Sequence, residues 1–147
     1  CSGARIGDDV LMANDYRLDD QVGYKLRLAT QRHLEIFSQH MSDVTPTQFS
    51  ILARLYEVGE TSQNQLGRLV AMDAATTKGV ISRLLEKQLV VARVDPNDLR
   101  RRQISLTDAG RELTIASIEK AKKITAETVA LLTERDVQRL LALLDKI

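Results

Sequence analysis

The sequence is poor in the residues that mark several classes of protein. Its 147 residues hold one cysteine, Cys1, so no internal disulfide can form, and nothing points to an oxidising compartment. Cys1 stands where an initiating methionine would be and is read as a processed or engineered end. It also lies far in sequence from any helix whose dipole would activate its thiol. Aromatics make up 3% and tryptophan is absent, which favours leucine-rich helix packing over a β-sandwich. No run of about 18 apolar residues and no signal-peptide pattern occurs, so no membrane partner is expected and the cytoplasm is the expected compartment. No glycine-rich phosphate loop or nucleophile motif is present. The chain therefore reads as non-catalytic and free of cofactor, with no catalytic residue assigned. The two histidines, His33 and His40, would hold a metal only with help from Glu35 or Asp43, and no metal site is assigned.

What is present is a helix-forming chain with charge in one place. Hydrophobic residues are 44% and the net charge is +1. Residues 62–102 carry eight basic against four acidic residues, while residues 1–61 carry six against nine and residues 103–147 seven against seven. A basic segment of this kind suits phosphate, though charge alone equally suits a solvated basic loop.

That basic segment has the punctuation of a helix-turn-helix followed by a β-hairpin wing. Ser62 with Gln65 fits a capping box, so a helix is predicted from Gln63, with Leu66, Leu69 and Val70 on one face. Asp73 caps a second predicted helix running through Gln88. Thr77, Val80, Ile81, Leu84 and Leu85 share one side of it. Ala75, Lys78, Gly79, Ser82 and Arg83 lie opposite, a small and polar face that suits the floor of the DNA major groove. Val90, Val91 and Val94 predict a strand, and Asp95-Pro96-Asn97-Asp98 a turn. Ile104 and Leu106 predict the returning strand, with Arg100, Arg101 and Arg102 in the polar loop between.

The flanks are helical. Residues 1–17 read as a loose arm with at most a short helix near Val10–Ala13. A long helix is predicted from Leu18 to about Met41, with a buried seam at Val22, Leu26, Ala29, His33, Ile36 and His40. Thr45-Pro46-Thr47-Gln48 is a capping box opening a helix that ends at Gly59. Thr107 caps a helix to about Leu132. Thr133 with Asp136 opens the last one, holding Val137, Leu140, Leu141, Leu144 and Ile147. The fold expected is mainly α with a small β wing: a winged helix-turn-helix at 46–106, with dimerisation helices at 18–45 and 107–147. Pairing with a second copy would bury their apolar surface, and two such elements one helical turn apart would read a palindromic double-stranded DNA site.

The segments TPTQFSILARL (45–55), QNQLGRLVAMDAATTKGVISRLLEKQLV (63–90) and RVDPNDLRRRQISLTDAG (93–110) resemble the MarR family of bacterial winged-helix regulators. The resemblance covers roughly residues 18–147. It implies a homodimer with interlocked first and last helices. It also implies a wing in which Arg100 reaches the minor groove and Asp98 braces the wing against Arg83, with Arg101 beside them and Thr76 and Lys78 near bases and phosphates. Leu99 and Gly79 depart from the family, which more often carries arginine or another long side chain there. Many members release DNA when a small aromatic acid binds, and residues 16–37 look most like the NicR-like regulators of nicotinate degradation. His33 and His40, flanked by Arg27 and Arg32, would suit the carboxylate of such an effector; equally, both histidines suit hydrogen-bonded core positions. The resemblance thus implies a repressor released by an aromatic acid. A ligand-independent or anti-silencing DNA-binding protein, or a metal- or redox-responsive one, stays open.

Overall fold

The structure, a computed structural model, describes residues 15–147. The arm's first fourteen residues, including the short helix expected near Val10–Ala13, lie outside the described residues. A 3-10 turn at Leu18–Asp20 precedes α1 (Val22–His40), α2 (Pro46–Val58), β1 (Thr61–Ser62), α3 (Gln63–Leu69) and α4 (Ala74–Glu86). Then come β2 (Val90–Asp95), β3 (Asp98–Leu106), α5 (Asp108–Thr128) and α6 (Glu134–Leu144). The architecture is mainly α with a small antiparallel sheet of order β1-β3-β2. The chain divides into two compact units within α1, between Glu35 and Ile36.

The helix starts lie where the capping residues put them. Thr45, Ser62, Asp73, Thr107 and Thr133 each accept a hydrogen bond from the backbone N–H three residues on, satisfying a donor that the first turn would leave bare. At Thr45 and Thr133 the return bond, donated by the capping residue's own N–H to the Gln48 or Asp136 side-chain oxygen, completes the box. At Ser62 the box is half made, because the Gln65 side chain turns away to accept from Arg68.

Helix ends differ more from the sequence reading. α4 stops at Glu86 rather than Gln88, which adopts a left-handed φ of 60°. α5 stops at Thr128 rather than near Leu132, and Ile147 falls beyond α6.

The wing also differs. Arg100, Arg101 and Arg102 are not loop residues but belong to β3, and the connection is the tight turn Pro96–Asn97. Two Asx contacts hold that turn: Asn97 N–H donates to Asp95 Oδ1 at 2.8 Å, and Arg100 N–H donates to Asp98 Oδ1 at 3.0 Å. A strand not expected from the sequence, β1, pairs Thr61 with Ile104 and Ser62 with Gln103, tying the start of α3 to the wing.

The core of the 36–147 unit is aliphatic. Ile36, Ile51, Leu52, Leu66, Ile81, Leu84 and Ile104 are wholly buried, with Phe37, Leu55, Val90 and Ile124 nearly so. Each such side chain contributes roughly 1.5–3 kcal/mol on leaving water. Phe37 and Phe49 meet edge to face at 6.4 Å between centroids.

Two glycines mark points where backbones approach closely. A Cβ on Gly67 would lie 2.9 Å from Thr77 Oγ1, and one on Gly110 would lie 1.9 Å from the Leu89 carbonyl oxygen. The Leu-Thr-x-x-Gly segment thereby has a physical reason. Thr107 caps α5 and donates from Oγ1 to the Gln88 carbonyl at 2.8 Å, and Gly110 lets α5 start against Leu89. Backbone, unlike a flexible side chain, cannot move aside cheaply. Gly110→Ala is therefore expected to lower the unfolding free energy by about 3 kcal/mol, the upper end of overpacking costs. Denaturant unfolding followed by circular dichroism checks this; a change below about 1 kcal/mol would show that the Leu89–Gly110 approach tolerates a methyl.

Candidate nucleic-acid interface

α3 and α4 form the helix-turn-helix. Their connection runs through Ala71, whose φ of 55° is left-handed, and Met72 N–H donates to the Gly67 carbonyl at 2.9 Å. α4 buries Thr77, Val80, Ile81 and Leu84, with Leu85 partly covered. Its other face, Ala75, Thr76, Lys78, Gly79, Ser82 and Arg83, is exposed. The 3.6-residue period thus separates an anchoring face from a bare one.

Both ends of α4 are fastened. At its start, Asp73 accepts from the Thr76 N–H at 2.7 Å. The hydrogen bonds from Thr76, backbone and then side chain, with a smaller one from the Ala75 backbone, hold the Asp73 carboxyl below its ordinary pKa. At its end, Lys87 donates from Nζ to the Asp43 carbonyl at 3.3 Å and to Gln48 Oε1 at 3.2 Å. Gln48 is itself buried and accepts from the Thr45 N–H at 3.2 Å. A lysine there also suits the negative end of the helix dipole.

The wing presents Arg100 and Arg101 exposed and Arg102 half-buried. With Ser62, Gln63 and Asn64 these arginines line one shallow cleft between the start of α3 and the wing. Arg102, Gln63 and Asn64 were not among the residues assigned to DNA from the sequence. The signal that would have found them, the β1–β3 pairing, spans two residues and shows no periodicity. β2 is tied in place by an ion pair from Arg93 to Glu60. The expected brace between Asp98 and Arg83 is not formed: among the described residues no ion pair joins them, and Asp98 Oδ1 accepts from the Arg100 N–H. The wing turn is stitched by its own aspartates instead.

The other expected residues lie on α1. In the 15–35 unit, Arg27 donates to Gln31 Oε1 at 3.3 Å and its guanidinium lies 5.3 Å from the Tyr24 ring centroid. Arg32 pairs with Glu35 at 3.8 Å, and His33 is half-buried. In the 36–147 unit, His40 Nε2 contacts Glu127 Oε1 on α5 at 2.5 Å. The seam expected along α1 is buried only toward its end: Ile36 is wholly covered, whereas Val22 is 66% exposed. Among the described residues no helix is long and apolar enough to cross a membrane, and no group of three His, Cys, Asp or Glu is placed to hold a metal ion.

A helix-turn-helix with an arginine-bearing hairpin beside it defines a winged helix-turn-helix protein. The pattern of the MarR family matches residues 44–101. The chain is 37% identical to the HTH-type transcriptional repressor NicR of Pseudomonas putida over 133 residues, 89% of this chain and 84% of that protein. Among solved structures, a probable transcriptional regulator from Pseudomonas aeruginosa is 44% identical with a TM-score of 0.83, covering 88% of this chain and 98% of that one. BpsR of Bordetella bronchiseptica, solved in a study of how 6-hydroxynicotinic acid regulates its DNA binding, is 36% identical with a TM-score of 0.85, covering 89% and 95%. The chain belongs to the MarR family. It is a regulator of transcription, like these relatives, and not an enzyme.

The Asp73 cap gives a pH-dependent expectation. A carboxyl whose pKa falls on folding stabilises the helix start fully above its ordinary value of 3.8, and that stabilisation is lost as the pH drops through the lowered value. An NMR titration of the side-chain carboxyl should give a midpoint below 3.8. Asp73→Ala should speed amide exchange at Thr76 at neutral pH. A midpoint at or above the ordinary value would mean that the cap does not hold α4.

Proposed function

We propose that the protein is a homodimeric repressor that reads a palindromic operator and is released from it by a small aromatic acid. The observation that carries this reading is the exposed face of α4, Ala75, Thr76, Lys78, Gly79, Ser82 and Arg83, set on the same unit as the arginines of β3. In it, Thr76, Lys78 and Ser82 meet base edges and phosphates in the major groove, and Arg83 meets phosphate. Arg100 enters the minor groove, with Arg101 on the flanking backbone and Asp98 shaping the turn that presents them. Residues 46–106 act as the DNA-binding domain. Residues 18–45 and 107–147 pair the copies, and the cytoplasm is the setting.

Dimerisation is supported by uncovered apolar surface. α6 buries none of its residues, and on one side Leu141 is 58% and Leu144 40% exposed. A helix this apolar on one side is stable in water only when something covers that side. The effector reading is supported by two relatives, one named a repressor of the NicR type and one regulated by 6-hydroxynicotinic acid. In the 15–35 unit His33 with Arg27 and Arg32 would suit the carboxylate of a related acid; in the 36–147 unit His40, beside Glu127, is a separate candidate.

The test is a binding titration on the promoter beside the protein's own gene, with and without nicotinate, 6-hydroxynicotinate and benzoate. Specific binding released by a pyridine carboxylate is the expected result; binding indifferent to all three acids would favour ligand-independent regulation. Arg100→Ala should weaken binding to operator and random DNA alike, by about tenfold, and reduce the salt slope by about one. His33→Ala should keep DNA affinity and blunt release; an unchanged response removes His33 from the effector site. Sedimentation should show a dimer that Leu141→Asp shifts toward monomer, and a monomeric wild type would sink the palindrome.

A further inference from the structure

Gly79 stands near the middle of α4, where glycine forms helix less well than alanine. Unlike Gly67 and Gly110, nothing in the fold requires it. A Cβ built there meets no atom within 4 Å, and its backbone is ordinary right-handed helix. The residue is exposed, one position from Lys78 and one helical turn from Ala75, Ser82 and Arg83. Gly23 is also open, but it lies in the first turn of α1, where helix propensity weighs less than at mid-helix.

A glycine that weakens its own helix and that no neighbour in the chain demands has a reason outside the chain. We infer that Gly79 is a specificity-determining position: its missing side chain lets the α4 backbone seat closely against the base edges of the operator, with Thr76, Lys78 and Ser82 reaching from either side. This rests on the reading of α4 as the DNA-reading helix. A methyl at position 79 holds the helix off the groove floor by roughly its own van der Waals radius. That distance exceeds the tolerance of a hydrogen bond to a base but not that of a salt-screened contact to phosphate. The inference therefore joins two effects of opposite sign in one substitution, a firmer fold and a weaker grip on the chosen sequence.

Gly79→Ala tests it in the full chain. The probes are a short duplex selected by the wild-type protein from a random-sequence pool and a scrambled duplex of equal length. The thermal midpoint should rise by about 2–4 °C. Affinity for the selected duplex should fall by about tenfold or more, while affinity for the scrambled one stays within about twofold. Selected-duplex affinity within about twofold of wild type, or equal loss on both duplexes, overturns the inference. Lys78→Ala and Thr76→Ala, run on the same duplexes, separate this failure from that of the parent reading. If they alter selective binding and Gly79→Ala does not, only the role of Gly79 falls. If none of the three does, α4 does not read DNA.

Discussion

One-sided burial of α4 is the constraint on which the other parts of the structure depend. Thr77, Val80, Ile81 and Leu84 recur at three- and four-residue spacing and enter a core shared with α2, α3 and the sheet. Each aliphatic member contributes roughly 1.5–3 kcal/mol, far more than any contact the opposite face makes. The helix can therefore leave Thr76, Lys78, Ser82 and Arg83 without covering partners and stay folded. The turn before it is held close by Gly67 under Thr77, and the wing lies beyond it because Val90 and Ile104 bury on the same core.

Polar contacts refine this placement. Lys87 joins the end of α4 to the Asp43 carbonyl and to buried Gln48. Asp43 in turn pairs with Lys120 on α5 at 3.5 Å, and His40 pairs with Glu127 on the same helix. Such half-exposed ion pairs add about 0–1 kcal/mol each, so they do not make the fold. They join the end of α4 to α5 through the segment between α1 and α2.

The capping signals were legible because they are local. Thr45, Ser62, Asp73, Thr107 and Thr133 each bond within one helical turn, so the residues that make the contact are neighbours in the sequence. The hairpin turn was legible for the same reason, since Asp95 and Asp98 bond two residues on. Partners distant in sequence were not: β1 exists only because Thr61 and Ser62 meet Ile104 and Gln103, and two residues carry no period. The arginines of β3 looked like loop because arginine has no marked strand preference; the pairing of Arg102 with Val94, with Gln103 opposite Arg93 on one side and Asp98 opposite Asp95 on the other, carries the strand through them. Asp98 accepts from the Arg100 N–H two residues on, a local contact, whereas the expected pairing with Arg83 spans fifteen residues and is not formed.

Sequence by itself determined the order of helices, the starting points of the five capped ones, the polar and apolar faces of α4, and the family, since these follow from spacing within one or two turns; α1, expected from Leu18, starts at Val22 after a 3-10 turn. Tertiary structure decided which seam residues are covered, where the wing arginines stand beside Gln63 and Asn64, and that His40 is engaged by Glu127. It also decided that Gly67 and Gly110 are held by packing while Gly79 is not. Those outcomes depend on what lies within a few ångströms in space, and no periodicity along the chain encodes that distance.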